Sequence, residues 1–295
     1  ITAVLRAHGY ANATMISGIL TNVTNAIGSV FVVSRFFSGD KIIGVAIAAV
    51  LGQFMGFIYA FISLKRHSEI DQKGVFSPSL FKKIALVGIP GGMSLFAFSI
   101  STAISTSVIA SLGQAAVNTK VYTANISHYT YLFGYSIAQS GAIMIGRHVG
   151  GGNYDTAKKL FKQISLFVPV LNCLLALTVF LFATPLMKIF TEDLQIIAAA
   201  HGIFLLDIVI EIARGNTHVG ENALGSVADT AFTSMVSILC CFCISSFGCW
   251  LFSIKLGMGL YGFYIASLLD ESTRGILYRL RWNKSKWVIS VKNKL

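Results

Sequence analysis

Leu205-Leu206-Asp207-Ile208-Val209-Ile210-Glu211-Ile212-Ala213-Arg214-Gly215-Asn216-Thr217-His218 sets four ionisable side chains inside an otherwise apolar run covering residues 194–224. A run of roughly 20 apolar residues is long enough to cross the hydrocarbon core of a bilayer as one helix. Ionisable groups are costly there, so each marks a cavity or a partner. Asp207, Glu211, Arg214 and His218 follow one another at i, i+4, i+7 and i+11. That spacing lines one face of a helix, and the stripe covers about 16 Å of it.

The rest of the chain belongs to the same environment. Of its 295 residues 55% are hydrophobic and 12% charged, with a mean hydropathy of +0.72; ordinary soluble domains carry about 25% charged residues. A soluble fold is excluded. Apolar runs near 11–35, 42–64, 84–112, 119–146, 159–187, 194–224, 230–254 and 258–280 predict an all-α integral membrane protein of about eight transmembrane helices. The connectors are short, such as Ser38-Gly39-Asp40, except for a longer polar segment from Lys65 to Lys83. The chain opens on Ile1 with no basic, apolar, small-residue leader before the first span, and is expected to be a fragment.

A net charge of +11 raises the question of a nucleic-acid partner. The basic residues lie between spans, not along one face with aromatics, so orientation explains them and no nucleic acid is expected. One side collects Arg6, Lys65, Arg66, Lys73, Lys82, Lys83, Arg147, Lys158, Lys159, Lys162 and the carboxy-terminal group Arg274, Arg279, Arg281, Lys284, Lys286, Lys292 and Lys294. The other has Arg35, Lys41, Lys120, Lys188 and Lys255. Positive loops near span ends stay in the cytoplasm, which predicts both ends cytoplasmic in a plasma-membrane protein. The cysteines at 173, 240, 241, 243 and 249 sit in apolar runs without a histidine at ligand spacing, and are taken as packing residues rather than metal ligands or disulfides.

A faint internal repeat is present. Gly44, Ile47, Ala48 and Leu51 recur as Gly262, Ile265, Ala266 and Leu269, an offset of 218. The matching spans lie an even number of helices apart, as in transporters built from parallel repeats about an axis along the membrane normal. Extrapolated, the repeat places about four spans upstream of Ile1.

Within the stripe, Asp207 and Glu211 are the candidates for binding a coupling cation, a proton or a sodium ion, as access alternates. The competing explanation is a buried Glu211–Arg214 pair that fixes packing. His218 stands nearer the cytoplasmic end and is either a titrating group or a satisfied histidine. In the fourth span Tyr122, Asn125 and Tyr129, with Gln139 beyond, either line a cavity for flat cations or bond between helices; Asn22 and Asn25 in the first span allow the same two roles. The Gly146–Asn153 stretch is a tight turn, since it lacks the Gly-Lys-Ser/Thr ending of a phosphate loop. Gly88-Ile89-Pro90-Gly91-Gly92 permits a bend early in the third span, where Ser94 and its neighbours allow close helix contact.

Several segments together resemble the multidrug and toxic compound extrusion family. They are Ala3–Gly9, Ile89-Pro90, Ala116–Tyr122, Ile145–Asn153, Ala223–Asp229, Asp270–Gly275, Arg281-Trp282 and Lys286-Trp287. The resemblance covers essentially the whole chain. It implies helices five to twelve of a twelve-helix transporter: 1–66 the last two helices of an amino-terminal bundle, 67–83 a cytoplasmic linker, 84–282 a complete six-helix bundle, and 283–295 a basic cytoplasmic tail. It also implies an antiporter, monomeric, that exports organic cations or amphiphiles in exchange for sodium ions or protons and needs no cofactor. By position, Glu211, Arg214 and Asn216 match a Glu-x-x-Arg-x-Asn pattern of one bacterial subgroup, and Asn125 and Gln139 match polar positions two helices earlier. Where relatives often carry a Glu after Gly-Ile-Pro, this chain has Ser94 or its neighbours, which shifts coupling to Asp207 and Glu211.

The expected mechanism is alternating access by rocking bundles around a midplane cavity. A lipid-linked saccharide flippase would favour a more basic cavity than the single cation Arg214 provides. An inactive truncated product is the other alternative. An integral-membrane enzyme is disfavoured, because no span carries paired metal-ligand histidines or an activated Ser or Cys.

Overall fold

The computed structural model describes residues 1–34, 39–67, 77–285 and 287–288. Most of the 67–83 linker, most of the 283–295 tail, and Arg35, Lys73, Lys286, Lys292 and Lys294 lie outside the described residues. All regular structure among the described residues is helical, in two compact units, Ile1–Phe76 and Ser77–Leu295.

The first unit holds α1 (Thr2–Ala7), α2 (Ala11–Val33) and α3 (Lys41–His67). Gly9, at φ +93°, turns the chain from α1 to α2, a conformation that costs glycine little. Small residues let α2 and α3 approach closely. A Cβ on Gly28 would stand 2.7 Å from Ala48 Cβ, and one on Gly52 would stand 2.6 Å from the Thr21 carbonyl. Ser17 Oγ donates to the Gly56 carbonyl at 2.8 Å across this seam. Asn25 belongs to it as well: its Cβ lies against Gly52, and its Oδ1 accepts from Ser29 Oγ at 3.2 Å.

The second unit contains α4 (Pro78–Ala110), α5 (Gln114–Gly150), α6 (Tyr154–Leu181), α7 (Ala183–Lys188), α8 (Leu194–Ser226), α9 (Thr230–Cys240), α10 (Phe247–Trp250) and α11 (Leu260–Asn283). A π-helical stretch, Cys241–Ser246, joins α9 to α10, and a second, Leu251–Lys255, continues the helical segment beyond α10. Asp193 caps α8 by accepting from the Gln195 amide at 2.8 Å, satisfying a donor that the first turn leaves free. Helix α8 then packs against α5, α6 and α11, and α4 packs against α9. Val219, Ala223 and Leu224 of α8 meet Ile145, Phe161, Val168, Tyr278 and Trp282 in the largest apolar cluster. Outward faces carry side chains such as Leu95, Phe96 and Leu166, each about 70% exposed, as a lipid-facing surface requires.

Several details differ from the sequence expectations. Helix α4 begins at Pro78, not 84, because Ser77 and Pro78 form a favourable helix start, so Lys82 and Lys83 lie on the helix and not in the linker. Pro90 sits inside α4 without ending it. The fifth run divides: α6 ends at Leu181 and α7 resumes at Ala183. After α5, helical structure persists to Gly150, and Gly152 at φ +78° makes the turn. Among the described residues, six helical segments are long and apolar enough to cross a membrane: α2, Lys41–Arg66, α4, α6, α8 and Thr230–Lys255. The other two expected spans, α5 and α11, reach 37 and 24 residues but carry much of the polar chemistry described next.

Candidate functional site

Asp207 and Glu211 both turn into the helix bundle, 3% and 0% exposed. The α5 side supplies Ser127, whose Oγ donates to Asp207 Oδ2 at 2.6 Å. From α6 comes Asn172, fully buried, whose Nδ2 donates to Glu211 Oε2 at 3.1 Å and to the Glu211 carbonyl at 3.3 Å. Glu211 Oε1 is paired with Arg214 Nη1 one turn along α8. Each carboxylate thus has at least one protein donor, which a charge taken out of water requires.

Arg214 does not stop at Glu211. Its Nε faces Glu271 Oε1 of α11 at 3.5 Å, and its guanidinium lies 5.5 Å from the Tyr131 ring centre. Glu271 Oε1 also faces Arg274 Nη2 at 3.3 Å, and the same nitrogen pairs with Asp270 Oδ2 at 2.5 Å. Thr217 Oγ1 donates to the Glu271 carbonyl at 2.7 Å, tying α8 to α11. The stripe read from α8 is therefore one side of a network that runs Glu211, Arg214, Glu271, Arg274, Asp270. His218 completes it, with ring centres 5.7 Å from Tyr131 and 5.1 Å from Tyr135.

Other residues singled out from the sequence do not join this network. Asn125 is exposed on α5, and so is Tyr129 (69%). Tyr122, half-buried, stacks on Phe190 at 5.4 Å. Gln139 is half-buried farther along α5. Asn216 points away from Glu211: its Nδ2 donates to the Ile212 carbonyl at 3.0 Å, and its Cβ borders Gly275. Ser94 bonds to Ser234 Oγ at 2.9 Å and fastens α4 to α9. Arg274, counted from the sequence with the cytoplasmic flank, is a member of the network at 7% exposure, because α11 continues to Asn283 and leaves it inside the bundle.

Sequence reasoning missed Ser127, Asn172, Asp270 and Glu271 as members. Asp270-Glu271-Ser272-Thr273-Arg274 was visible as a motif, and its i, i+4 and i, i+3 spacings from acid to arginine were the available signal. Ser127 and Asn172 gave none, since uncharged polar residues are common between membrane helices. The cysteines are free thiols. An apolar groove of about 600 Å³ runs along α6, lined by Leu160, Gln163, Ile164, Leu166, Phe167 and Val170, none of them in the charged network.

Long apolar helices that enclose a paired charge network define a multi-pass membrane protein of the transporter class. The family model described as MatE matches residues 90–251, more than half of the chain; the chain belongs to the MatE family, a family of transporters and not of enzymes. It is 29% identical to the Uncharacterized transporter YisQ of Bacillus subtilis, over 97% of this chain and 64% of that protein. It is 24% identical to the Probable multidrug resistance protein NorM of Thermotoga maritima, over 97% of this chain and 63% of the relative. Among solved structures, MATE in the straight conformation shares the fold at a TM-score of 0.86 and 17% identity, covering 99% of this chain and 66% of that one. The chain thus spans a little under two thirds of the relatives' length.

Proposed function

We propose that the protein is a cation-coupled antiporter that exports organic cations or amphiphilic drugs across the plasma membrane by alternating access. Its arrangement would be eight spans with both ends cytoplasmic, acting as a monomer. The observation that carries this is the placing of Asp207 and Glu211, buried side chains one helical turn apart with uncharged donors from two neighbouring helices. Ser127 and Asn172 hold the carboxylates without neutralising them, so a proton or sodium ion can take that role. Relatives named as multidrug resistance proteins, NorM and MdtK, support drugs as the exported class.

Ion binding at Glu211 competes with Arg214 for the same carboxylate. An ion that displaces the guanidinium leaves Arg214 to Glu271 alone, so occupancy changes how firmly Arg214 ties α8 to α11. Such differential contact is what lets a ligand favour one state over another. The network holds more carboxylates than guanidiniums, which supports a cationic cargo over an anionic saccharide lipid. Arg274 adds a second cation but is matched by Asp270 and Glu271.

The test is Glu211→Gln in membranes that export a fluorescent cation under an imposed proton gradient and then a sodium gradient. Coupled export is expected to stop while insertion and folding persist. Unchanged export would sink the assignment.

A further inference from the structure

The cluster on the last helix asks for something the α8 stripe does not supply. Asp270 and Arg274 are 5% and 7% exposed and pair one turn apart, and Glu271 lies between Arg274 and Arg214. Counting Glu211, three carboxylates share two guanidiniums, which leaves one negative charge in excess. In a bundle interior that excess is poorly screened.

An independent observation points to the same place. Buried polar atoms in folded proteins nearly always have a hydrogen-bond partner. Here Asp270 Oδ1, Glu271 Oε2, Arg274 Nε and both ring nitrogens of His218 have none. The charged groups that act on His218 are Glu271, Arg214 and Arg274, so these atoms belong to one neighbourhood. Two of them are carboxylate oxygens, which can only accept while ionised. One proton on either carboxylate supplies a donor beside unpartnered acceptors and reduces the excess negative charge. Among the described residues no group of His, Cys, Asp and Glu is arranged to hold a metal ion.

We propose that Asp270 and Glu271 form a second proton-binding site on the last helix, holding one proton and separated from Asp207 and Glu211 by Arg214. One O–H bond forms on a carboxylate oxygen as one O–H bond of a hydronium ion breaks to leave water, and no other covalent bond changes. The groups facing the site are Arg214, His218 and Glu221 of α8, Arg274 and Tyr278 of α11, and Cys240 and Cys241 at the α9 junction. Tyr131 and Tyr135 of α5 face it through His218. Its part in export rests on the proposed function, but its chemistry is tested without transport.

The experiment is infrared difference spectroscopy of the protein in lipid membranes as pH is lowered. Deuterium-sensitive carboxyl C=O bands are expected to appear, and one of them is expected to persist in the Asp207→Asn/Glu211→Gln double variant and to vanish in Asp270→Asn/Glu271→Gln; that band is the one the test follows. Should the α11 double variant fail to insert, Glu271→Asp and Asp270→Glu must each shift the band. Absence of any such band overturns the proposal, as does its survival in the α11 variant or its loss in the α8 variant. Since the band is read without a gradient or a dye, failure of Glu211→Gln to stop export would be a separate result.

Discussion

Asn172 is a lone amide in the apolar run Val168-Pro169-Val170-Leu171-Asn172-Cys173-Leu174, and both its bonds go to Glu211. Ser127 does for Asp207 what Asn172 does for Glu211. Substituting either separates the two carboxylates experimentally. Asn172→Leu removes the donor and keeps the volume, leaving Glu211 to seek compensation from a bound cation. A hydrogen bond to a charged group contributes about 1.5–3 kcal/mol, so the half-saturating concentration of coupling ion should fall about tenfold or more if Glu211 is the site. Ser127→Ala should do the same if Asp207 is the site. Ion-dependence curves of dye export in the two variants decide between them, and an unchanged midpoint in both removes the pair from coupling. The stripe itself was legible because four ionisable residues at helical spacing cannot be accidental in an apolar run. The α11 half was not, because an Asp-Glu pair followed by arginines near the end of the chain has the composition of a basic flank; only the length of α11 places Arg274 inside.

At the scale of helices, the site depends on close approaches that glycine permits. Gly134 of α5 faces Asn172 so closely that an added Cβ would stand 2.8 Å from its Cγ. On α8, a Cβ on Gly215 would stand 3.0 Å from Pro169 Cα, and one on Gly220 would stand 2.6 Å from Tyr278 Cβ. Overpacking such contacts costs about 1–3 kcal/mol. Gly220→Ala presses on backbone-proximal carbon that has nowhere to go, and is expected to lower the melting temperature of the purified protein while sparing the ion midpoint. Gly134→Ala meets the movable end of a side chain, so it should melt near wild type yet reproduce the ion-dependence of Asn172→Leu. A wild-type midpoint in Gly134→Ala would show that Asn172 keeps Glu211 after moving. The positions of the long helices were readable from apolar runs, but their ends were not. Ser77-Pro78 begins α4 ahead of its apolar part, and α5 continues through Arg147 and His148, since caps and turns, not hydropathy, end a helix.

For the whole molecule, α5 and α11 decide how many times the chain crosses the bilayer. Length and composition select six helices among the described residues. At 1.5 Å per residue α5 and α11 extend about 55 Å and 36 Å, enough for a core of about 30 Å. Some of their polar residues turn inward: Ser127 to Asp207, and Asp270, Glu271 and Arg274 to α8 and to one another. A helix that buries its polar face in a bundle needs less mean hydropathy to cross, because lipid meets only its other face. Moving Arg274 into the bundle leaves the basic asymmetry at 16 against 5, which still supports the proposed cytoplasmic ends. In a chain with its native cysteines replaced, single cysteines at Ser111 and Asn153 bracket α5, and those at Leu256 and Lys284 bracket α11. Ser111→Cys and Leu256→Cys should react with an impermeant maleimide from outside intact cells, and Asn153→Cys and Lys284→Cys only after permeabilisation. If both sites around α5 or both around α11 label from one side, that helix does not cross and its carboxylate partners cannot lie at bilayer depth. The export mechanism would fall with that result, while the MatE assignment, which rests on residues 90–251 as a whole, would not.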